Sequence, residues 1–155
     1  IISLKTSNLI IDENKIFFSN NKNVFYSIDL NTGNINWKQN ISSSVKPAVI
    51  GDLLFTISDN GYLFLIDKNR GNIVRINDIF KNFKPKVKKN LAPTGFILDA
   101  NNLYVSTNFG KLLIVNIENA STKEILKIGK GKLSRPFVKN QNLFLIKDNA
   151  IIKLN

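Results

Sequence analysis

The chain has 155 residues, with 22 basic and 11 acidic side chains, a formal net charge of +11, and no His, Cys or Met. This composition excludes a Ser-His-Asp triad, a thiol nucleophile, a zinc finger and a disulfide framework. With 43% apolar residues and 11 Phe, the chain can bury a core, and no apolar run reaches the roughly 18–20 residues that a membrane-spanning helix needs.

Four segments share one pattern, in which a strand, a short polar turn and a second strand follow one another. Each first strand carries a pair of apolar residues, and the four pairs are Ile16-Phe17, Leu54-Phe55, Leu103-Tyr104 and Leu143-Phe144. The pairs recur at intervals of 38, 49 and 40 residues. A period of about 40–45 residues with several short strands per unit is typical of a β-propeller, and no segment keeps the apolar spacing of an amphipathic helix.

Each repeat extends to four strands. A short segment containing Pro precedes three of the copies, at residues 47–49, 93–96 and 136–138, and Asx-type turns with Gly at residues 29–33 and 67–71 lead into fourth strands. The third copy has Ala120 at the Gly position, and the fourth copy stops at its third strand. We therefore predict an all-β fold. It is a single β-propeller segment over residues 1–155, with four-stranded antiparallel blades at about 8–40, 46–76, 94–128 and 135–155, the last without its outer strand.

The incomplete last blade raises the question of closure. Residues 1–4 either complete that blade or form the outer strand of a preceding blade. In the second case the chain is half of an eight-bladed ring, with two open apolar faces that repeat proteins normally cap or close. We expect a homodimer that closes an eight-bladed ring.

The sequence DLNTGNINW at residues 29–37 resembles the D-x-x-T-G-x-x-x-W segment of quinoprotein-type (PQQ-like) propeller repeats, and residues 67–75 repeat it with Arg75 in place of Trp. That family includes quinone-dependent dehydrogenases and the BamB-type lipoproteins of the outer-membrane β-barrel assembly machinery. Residues 136–155 resemble the BamB branch. The resemblance implies a non-catalytic scaffold in the periplasm, associated with the outer membrane through a lipid anchor that this sequence lacks. Its implied partners are proteins: the barrel-insertion protein of the machinery and unfolded barrel precursors.

The alternative is a fragment of a PQQ-dependent quinoprotein dehydrogenase. In those enzymes, the resemblance implies, carboxylates around calcium and a disulfide between adjacent cysteines hold the quinone. Here there is no Cys, and most carboxylates fall in predicted turns, so we expect no catalytic residue, no cofactor and no metal site. The stretches 29–33 and 67–71 also look like the opening of a calcium loop, but neither is followed by the bidentate carboxylate that such a loop needs.

The positive charge favours a nucleic-acid partner only weakly. Arg occurs three times, at Arg70, Arg75 and Arg135, whereas nucleic-acid readers rely on Arg for bidentate contacts. Lys, Asn and Ile are residues of A/T-rich codons, and codon bias accounts for much of the Lys excess. We expect no nucleic-acid partner.

One segment, residues 77–90, lengthens the connection between the second and third blades and interleaves lysines with aromatic residues. We predict that it docks an acidic partner or anionic head group, with the aromatic rings as anchors and the lysines steering the encounter. A solvated loop in a Lys-rich chain is the alternative. The predicted partner-binding residues are Phe80, Lys81, Phe83, Lys84, Lys86, Lys88 and Lys89. We also expect this loop to lie beside the turns between the second and third strands, and Trp37 to pack between blades.

Overall fold

The computed structural model describes residues 7–20 and 22–154, which form fifteen strands and one helical turn. The first sheet contains β1 (Ile10–Asp12), β2 (Lys15–Ser19), β3 (Phe25–Asp29) and β4 (Ile35–Gln39). The second contains β5 (Ala48–Ile50), β6 (Leu53–Ile57), β7 (Tyr62–Asp67) and β8 (Ile73–Asp78). After the helical turn α1 (Pro85–Lys88), the third contains β9 (Pro93–Leu98), β10 (Asn102–Thr107), β11 (Lys111–Asn116) and β12 (Thr122–Lys127), and the fourth contains β13 (Phe137–Lys139), β14 (Asn142–Lys147) and β15 (Ala150–Leu154).

Within each sheet every strand pairs antiparallel with the strand that precedes it in sequence. This meander is the predicted blade, and the fold is that of a partial β-propeller. The fourth sheet has three strands in the described part of the chain. Residues 1–4, for which we considered two placements, lie outside the described residues.

Turn chemistry explains where the third strand of each blade ends. The Oδ1 atom of Asp29 accepts hydrogen bonds from the backbone N–H groups of Asn31 and Thr32, and Gly33 then adopts φ +72°. Gly71 repeats this conformation with φ +78°, whereas Ala120 adopts φ +55° in the third copy. A Cβ atom disfavours this left-handed region, so the third turn keeps the same geometry at a conformational cost.

The described chain divides into two compact units, Ile1–Asp78 and Ile79–Asn155, and each contains two of the sheets. In the first unit, Phe17, Phe25 and Trp37 of the first sheet are buried together with Leu54 and Ile66 of the second. The Trp37 ring lies 5.9 Å from the Phe17 ring and 6.1 Å from the Phe25 ring, measured between centroids. Its indole N–H donates to the carbonyl oxygen of Lys68 at 2.8 Å. The prediction that Trp37 packs between blades is confirmed.

In the second unit the core forms between the third and fourth sheets around Leu112, Leu133 and Leu145. The opposite face of the fourth sheet carries an exposed apolar patch. Phe137 stacks on Phe144 with 5.5 Å between ring centroids, and Ile151 is 69% exposed.

Candidate docking site

The predicted docking segment leaves β8 and returns to β9, and its two ends are fixed in the second unit. Ile79 and Phe80 are fully buried directly after β8, and Leu91 is buried just before β9. The Thr122 hydroxyl on β12 donates to the carbonyl oxygen of Ile79 at 3.0 Å. We call the exposed part between these anchors, residues 81–89, the basic loop.

Within the basic loop the chain folds into one helical turn. Pro85 occupies the start of α1, where the missing N–H of proline costs nothing. The backbone N–H groups of Val87 and Lys88 both donate to the carbonyl oxygen of Lys84 at 2.9 Å. The basic loop is therefore an ordered turn rather than an extended connection, and the sequence analysis did not predict this helix.

The basic loop exposes charge and little apolar surface. Lys81, Lys84, Lys86 and Lys89 are exposed and Lys88 is half-buried. No Asp or Glu occurs between Asp78 and Asp99 in the sequence, so the basic loop contains five lysines and no acidic residue of its own. An acidic surface or an anionic head group would complement this charge.

The structure places the two predicted aromatic anchors differently. Phe80 is fully buried, because it follows β8 directly and its side chain enters the core beside Ile79. Phe83 is half-buried and contacts Phe80 edge-on, with 5.9 Å between ring centroids. Phe80 thus packs beneath Phe83 in the protein interior. The apolar side chains that reach the surface are Phe83 and Val87, the latter 41% exposed.

Asn108 fixes the carboxy-terminal side of this connection. Its Oδ1 accepts from the backbone N–H of Ala92, and its Nδ2 donates to the carbonyl oxygen of Asn90, both at 2.9 Å. Asn108 lies in the turn between β10 and β11, so the expectation that the connection lies beside that turn is confirmed for the third sheet. Sequence analysis did not single out Asn108. Comparison of the repeats could have found it, because Asn108 occupies the turn position of Asp59 in the second repeat and its amide can both donate and accept hydrogen bonds.

The carboxylates of the turns are engaged in local structure. The Thr32 backbone N–H holds the pKa of Asp29 below its ordinary value, and the Arg70 backbone N–H does the same for the pKa of Asp67. Burial raises the pKa of Asp99, but hydrogen bonds to its carboxylate, from the Asn101 backbone first, outweigh burial and lower it. These groups stay ionised at neutral pH and act as hydrogen-bond acceptors for the backbone.

One ion pair in the first unit was not predicted. The Lys68 ammonium lies 2.7 Å from an Asp12 carboxylate oxygen, and its side chain is only 8% exposed. The hydrogen bond to Asp12 raises the pKa of Lys68. The pair joins the β1–β2 turn to the β7–β8 turn, and since each residue reads as an ordinary turn residue in the sequence, only their spatial proximity reveals it.

Among residues 7–20 and 22–154, no group of three or more Asp or Glu side chains lies close enough together to hold a metal ion. None of the helical structure is long and apolar enough to cross a membrane within that same part of the chain.

Comparison of the sequence and the fold with known proteins finds other β-propellers built from similar repeats. Residues 2–77 match the family model described as outer membrane protein assembly factor BamB. A curated relative of that name from Legionella pneumophila (strain Paris) is 25% identical over 108 residues, which are 68% of this chain and 26% of the relative. The chain therefore spans about a quarter of the length of the curated relative that it matches.

Two solved structures show the same fold. BamB from Moraxella catarrhalis superposes with a TM-score of 0.75 at 16% identity, covering 95% of this chain and 41% of that chain. The computationally designed Ika4 protein superposes with a TM-score of 0.73 at 9% identity, covering 98% of this chain and 90% of that chain. This chain thus has the fold of a β-propeller segment. Its residues 2–77 are similar to the BamB family of PQQ-like repeat proteins, which confirms the resemblance read from residues 29–37.

Proposed function

We propose that this chain acts as a non-catalytic protein-interaction scaffold in the assembly of outer-membrane β-barrel proteins, in the periplasm and at the outer membrane. The match of residues 2–77 to the BamB family model is the observation that carries the proposal. The curated relative that covers 68% of this chain has the same name. A scaffold needs stable surfaces rather than reactive groups, and that agrees with a chain without His or Cys.

Three turn carboxylates are better suited to a structural role than to acid–base catalysis. General acid–base chemistry needs a carboxyl group with a pKa near the working pH. Asp29, Asp67 and Asp99 have lowered pKa values because they accept hydrogen bonds from turn backbones. Such groups remain ionised and occupied by structural hydrogen bonds.

The basic loop is the proposed contact with a protein partner. Its lysines would attract an acidic patch on the barrel-insertion protein of the machinery, and Phe83 and Val87 would enter the interface. Charges at the rim of an interface mainly raise the association rate, whereas buried apolar groups mainly slow dissociation. We therefore expect the lysines to affect mainly the association rate, and Phe83 and Val87 to affect mainly the dissociation rate.

The test measures binding of the full chain to the barrel-insertion protein from the same organism by biolayer interferometry at several salt concentrations. Replacing the five loop lysines by Gln should lower the association rate about tenfold or more at low salt and flatten its salt dependence. Phe83→Ala should chiefly raise the dissociation rate. The matched control is Lys123→Gln with Lys127→Gln on β12, which changes charge on the same unit outside the loop and should leave both rates within about twofold.

Two results would overturn parts of the proposal. Absence of binding by the unmodified chain would overturn the scaffold role with this partner. Binding that stays unchanged in both loop variants would remove the basic loop from the interface, and the loop would then be a solvated connection.

A further inference from the structure

A cleft in the first unit, lined by both polar and apolar side chains, has no part in the proposed scaffold contact. It is open to solvent, has a volume of about 430 Å³ and lies between the first and second sheets, at the end of the strands where the β2–β3 and β6–β7 turns lie. Its volume falls within the range of about 300–1,000 Å³ that is usual for small-molecule sites. Three amide side chains, one carboxylate and two aromatic rings line it: Asn23, Asn40, Asn60, Asp59, Tyr62 and Phe64.

Hydrogen bonds hold the carboxylate of the cleft in place. The Ser42 hydroxyl donates to Asp59 Oδ2 at 2.7 Å, and the Asp59 backbone N–H donates to the Ser42 carbonyl oxygen at 2.8 Å. This reciprocal pair ties the β4–β5 connection to the β6–β7 turn. Because Oδ2 is already oriented by Ser42, the carboxylate is preorganised to accept a further hydrogen bond from a ligand.

The turn that carries Asp59 is fixed in the same way. The Ser58 hydroxyl donates to Asn60 Oδ1 and accepts the backbone N–H of Tyr62 at 3.0 Å. The side-chain oxygen Oδ1 of Asn60 is thereby engaged. In the cleft, Asn60 therefore acts chiefly as a hydrogen-bond donor through Nδ2. Gly61 follows at φ +88°, a conformation that favours glycine and closes the turn.

The lining offers both hydrogen-bond donors and acceptors. Asn side chains supply two donors and an acceptor each, and Asp59 supplies acceptors only. Hydroxyl groups match such a set because each donates and accepts. An ammonium or guanidinium group would use only the acceptors, and the formal net charge of +11 opposes its approach at long range. A ligand with a carboxylate or phosphate group would be repelled by the Asp59 carboxylate.

The apolar part of the cleft suits a ring. Tyr62 and Phe64 are two residues apart on β7, and side chains at that spacing project from the same face of a strand. Both are half-buried and present apolar surface beside the polar rim. Sugar rings combine an apolar C–H face with hydroxyl groups at their edge, and this combination corresponds to the lining.

We infer that this cleft binds a neutral saccharide of one or two rings, with Asp59 and the Asn amides bonding the hydroxyl groups and the two aromatic rings packing against the sugar. The inference does not depend on the scaffold role.

The experiment titrates the full chain, labelled with ¹⁵N, with maltose, cellobiose and diacetylchitobiose, each up to about 10 mM, which detects dissociation constants near 1 mM. At least one disaccharide should shift the amide signals of the β6–β7 turn and of residues 40–42. Asp59→Asn keeps the shape and removes the charge, and it should weaken binding about tenfold or more, because hydrogen bonds to charged groups are the strong ones. Asn60→Ala should weaken binding in the same direction.

Asp52→Asn is the matched control, since Asp52 lies at the opposite end of β6 and accepts from Asn69 outside the cleft. It should leave the affinity within about twofold. The absence of shifts with all three disaccharides would overturn the inference. Binding of a tri-lysine peptide in the cleft, with no response to sugars, would also overturn it, because it would assign the cleft to a cationic side chain. Loss of partner binding in the scaffold test would leave these outcomes unaffected.

Discussion

Replacing Gly71 by Ala tests the packing of Trp37 against the β7–β8 turn. A Cβ atom at Gly71 would lie 2.5 Å from Trp37 Cγ and 2.6 Å from Cδ2, closer than real contacts allow. Gly33 occupies the equivalent turn of the first sheet with nearly the same φ, +72° against +78°, but nothing lies within 4 Å of its added Cβ. The two substitutions therefore share the backbone strain, and only Gly71→Ala adds the clash.

The magnitudes follow from these two components. Placing Ala in the left-handed region costs about 1–2 kcal/mol, which is the expected loss for Gly33→Ala. Overpacking against a buried side chain typically costs about 1–3 kcal/mol more. Gly71→Ala should thus lose about 2–5 kcal/mol, and the Trp37 hydrogen bond to Lys68 should weaken as the indole moves.

Trp37 is the single Trp of the chain, so its fluorescence during urea denaturation reports the unit that contains both glycines. The unfolding free energies of Trp37→Phe with and without Gly71→Ala, measured by circular dichroism, complete a double-mutant cycle. The smaller Phe ring should reduce the additional loss of stability that Gly71→Ala causes. Equal losses for Gly33→Ala and Gly71→Ala, within about 0.5 kcal/mol, would refute the packing argument.

Four further predictions follow from the turns, the open sheet and the composition. Hydrogen bonds lower the pKa of Asp29 and Asp67 in the folded state. The stabilisation that they provide is therefore present above the unfolded pKa of about 3.9 and is lost as pH falls through the folded pKa. Between pH 5 and 2, the urea midpoint of the double variant Asp29→Asn/Asp67→Asn should fall less than that of the unmodified chain. Ala120→Gly should raise the thermal midpoint, because the φ of +55° then carries no Cβ penalty; an unchanged or lower midpoint by circular dichroism contradicts this. Light scattering should find a dimer at micromolar concentration, since the exposed face around Phe137 and Ile151 is apolar; a stable monomer counts against closure by self-association. Purified chain should show no quinone-dependent alcohol or sugar oxidation with or without calcium, and stoichiometric quinone binding with dye reduction would reopen the enzyme alternative.

The strands could be predicted from sequence because each repeat contains the same local signals. The pairs Leu54-Phe55 and Leu103-Tyr104 fall within β6 and β10, in equivalent registers with the strands on either side. The Asp and Gly of residues 29–33 specify their turn through contacts inside five residues. Short-range chemistry of this kind repeats with the sequence, so comparison of the copies is sufficient to find it.

The candidate sites could be predicted only in part. The basic loop was visible as a run of lysines, but whether Phe80 faces solvent or core depends on the direction in which the chain leaves β8, and no periodicity in a single connection specifies that direction. The cleft was not visible, because Asn23, Asn40 and Asp59 come from three separate connections. Their proximity is a product of tertiary packing, and each residue alone is an ordinary turn residue.

The turns also distribute charge between the two ends of the sheets. In an antiparallel meander the first and third turns lie at one end of the sheet, and the second turn lies at the other. Seven of the 11 acidic residues fall at the first end in their respective sheets: Asp12, Glu13, Asp29, Asp52, Asp67, Asp99 and Glu118. Their carboxylates are suited to this end because several of them accept hydrogen bonds there, from turn backbones at Asp29 and Asp67 and from the Lys68 ammonium at Asp12.

Asp59, Asp78 and Asp148 lie at the opposite ends of their own sheets, and the five lysines of the basic loop follow the last residue of β8 in the sequence. The separation of charge within a sheet thus follows from using Asp to build the first and third turns. An acidic partner would be attracted by the lysines of the basic loop and repelled by the turns that carry the carboxylates.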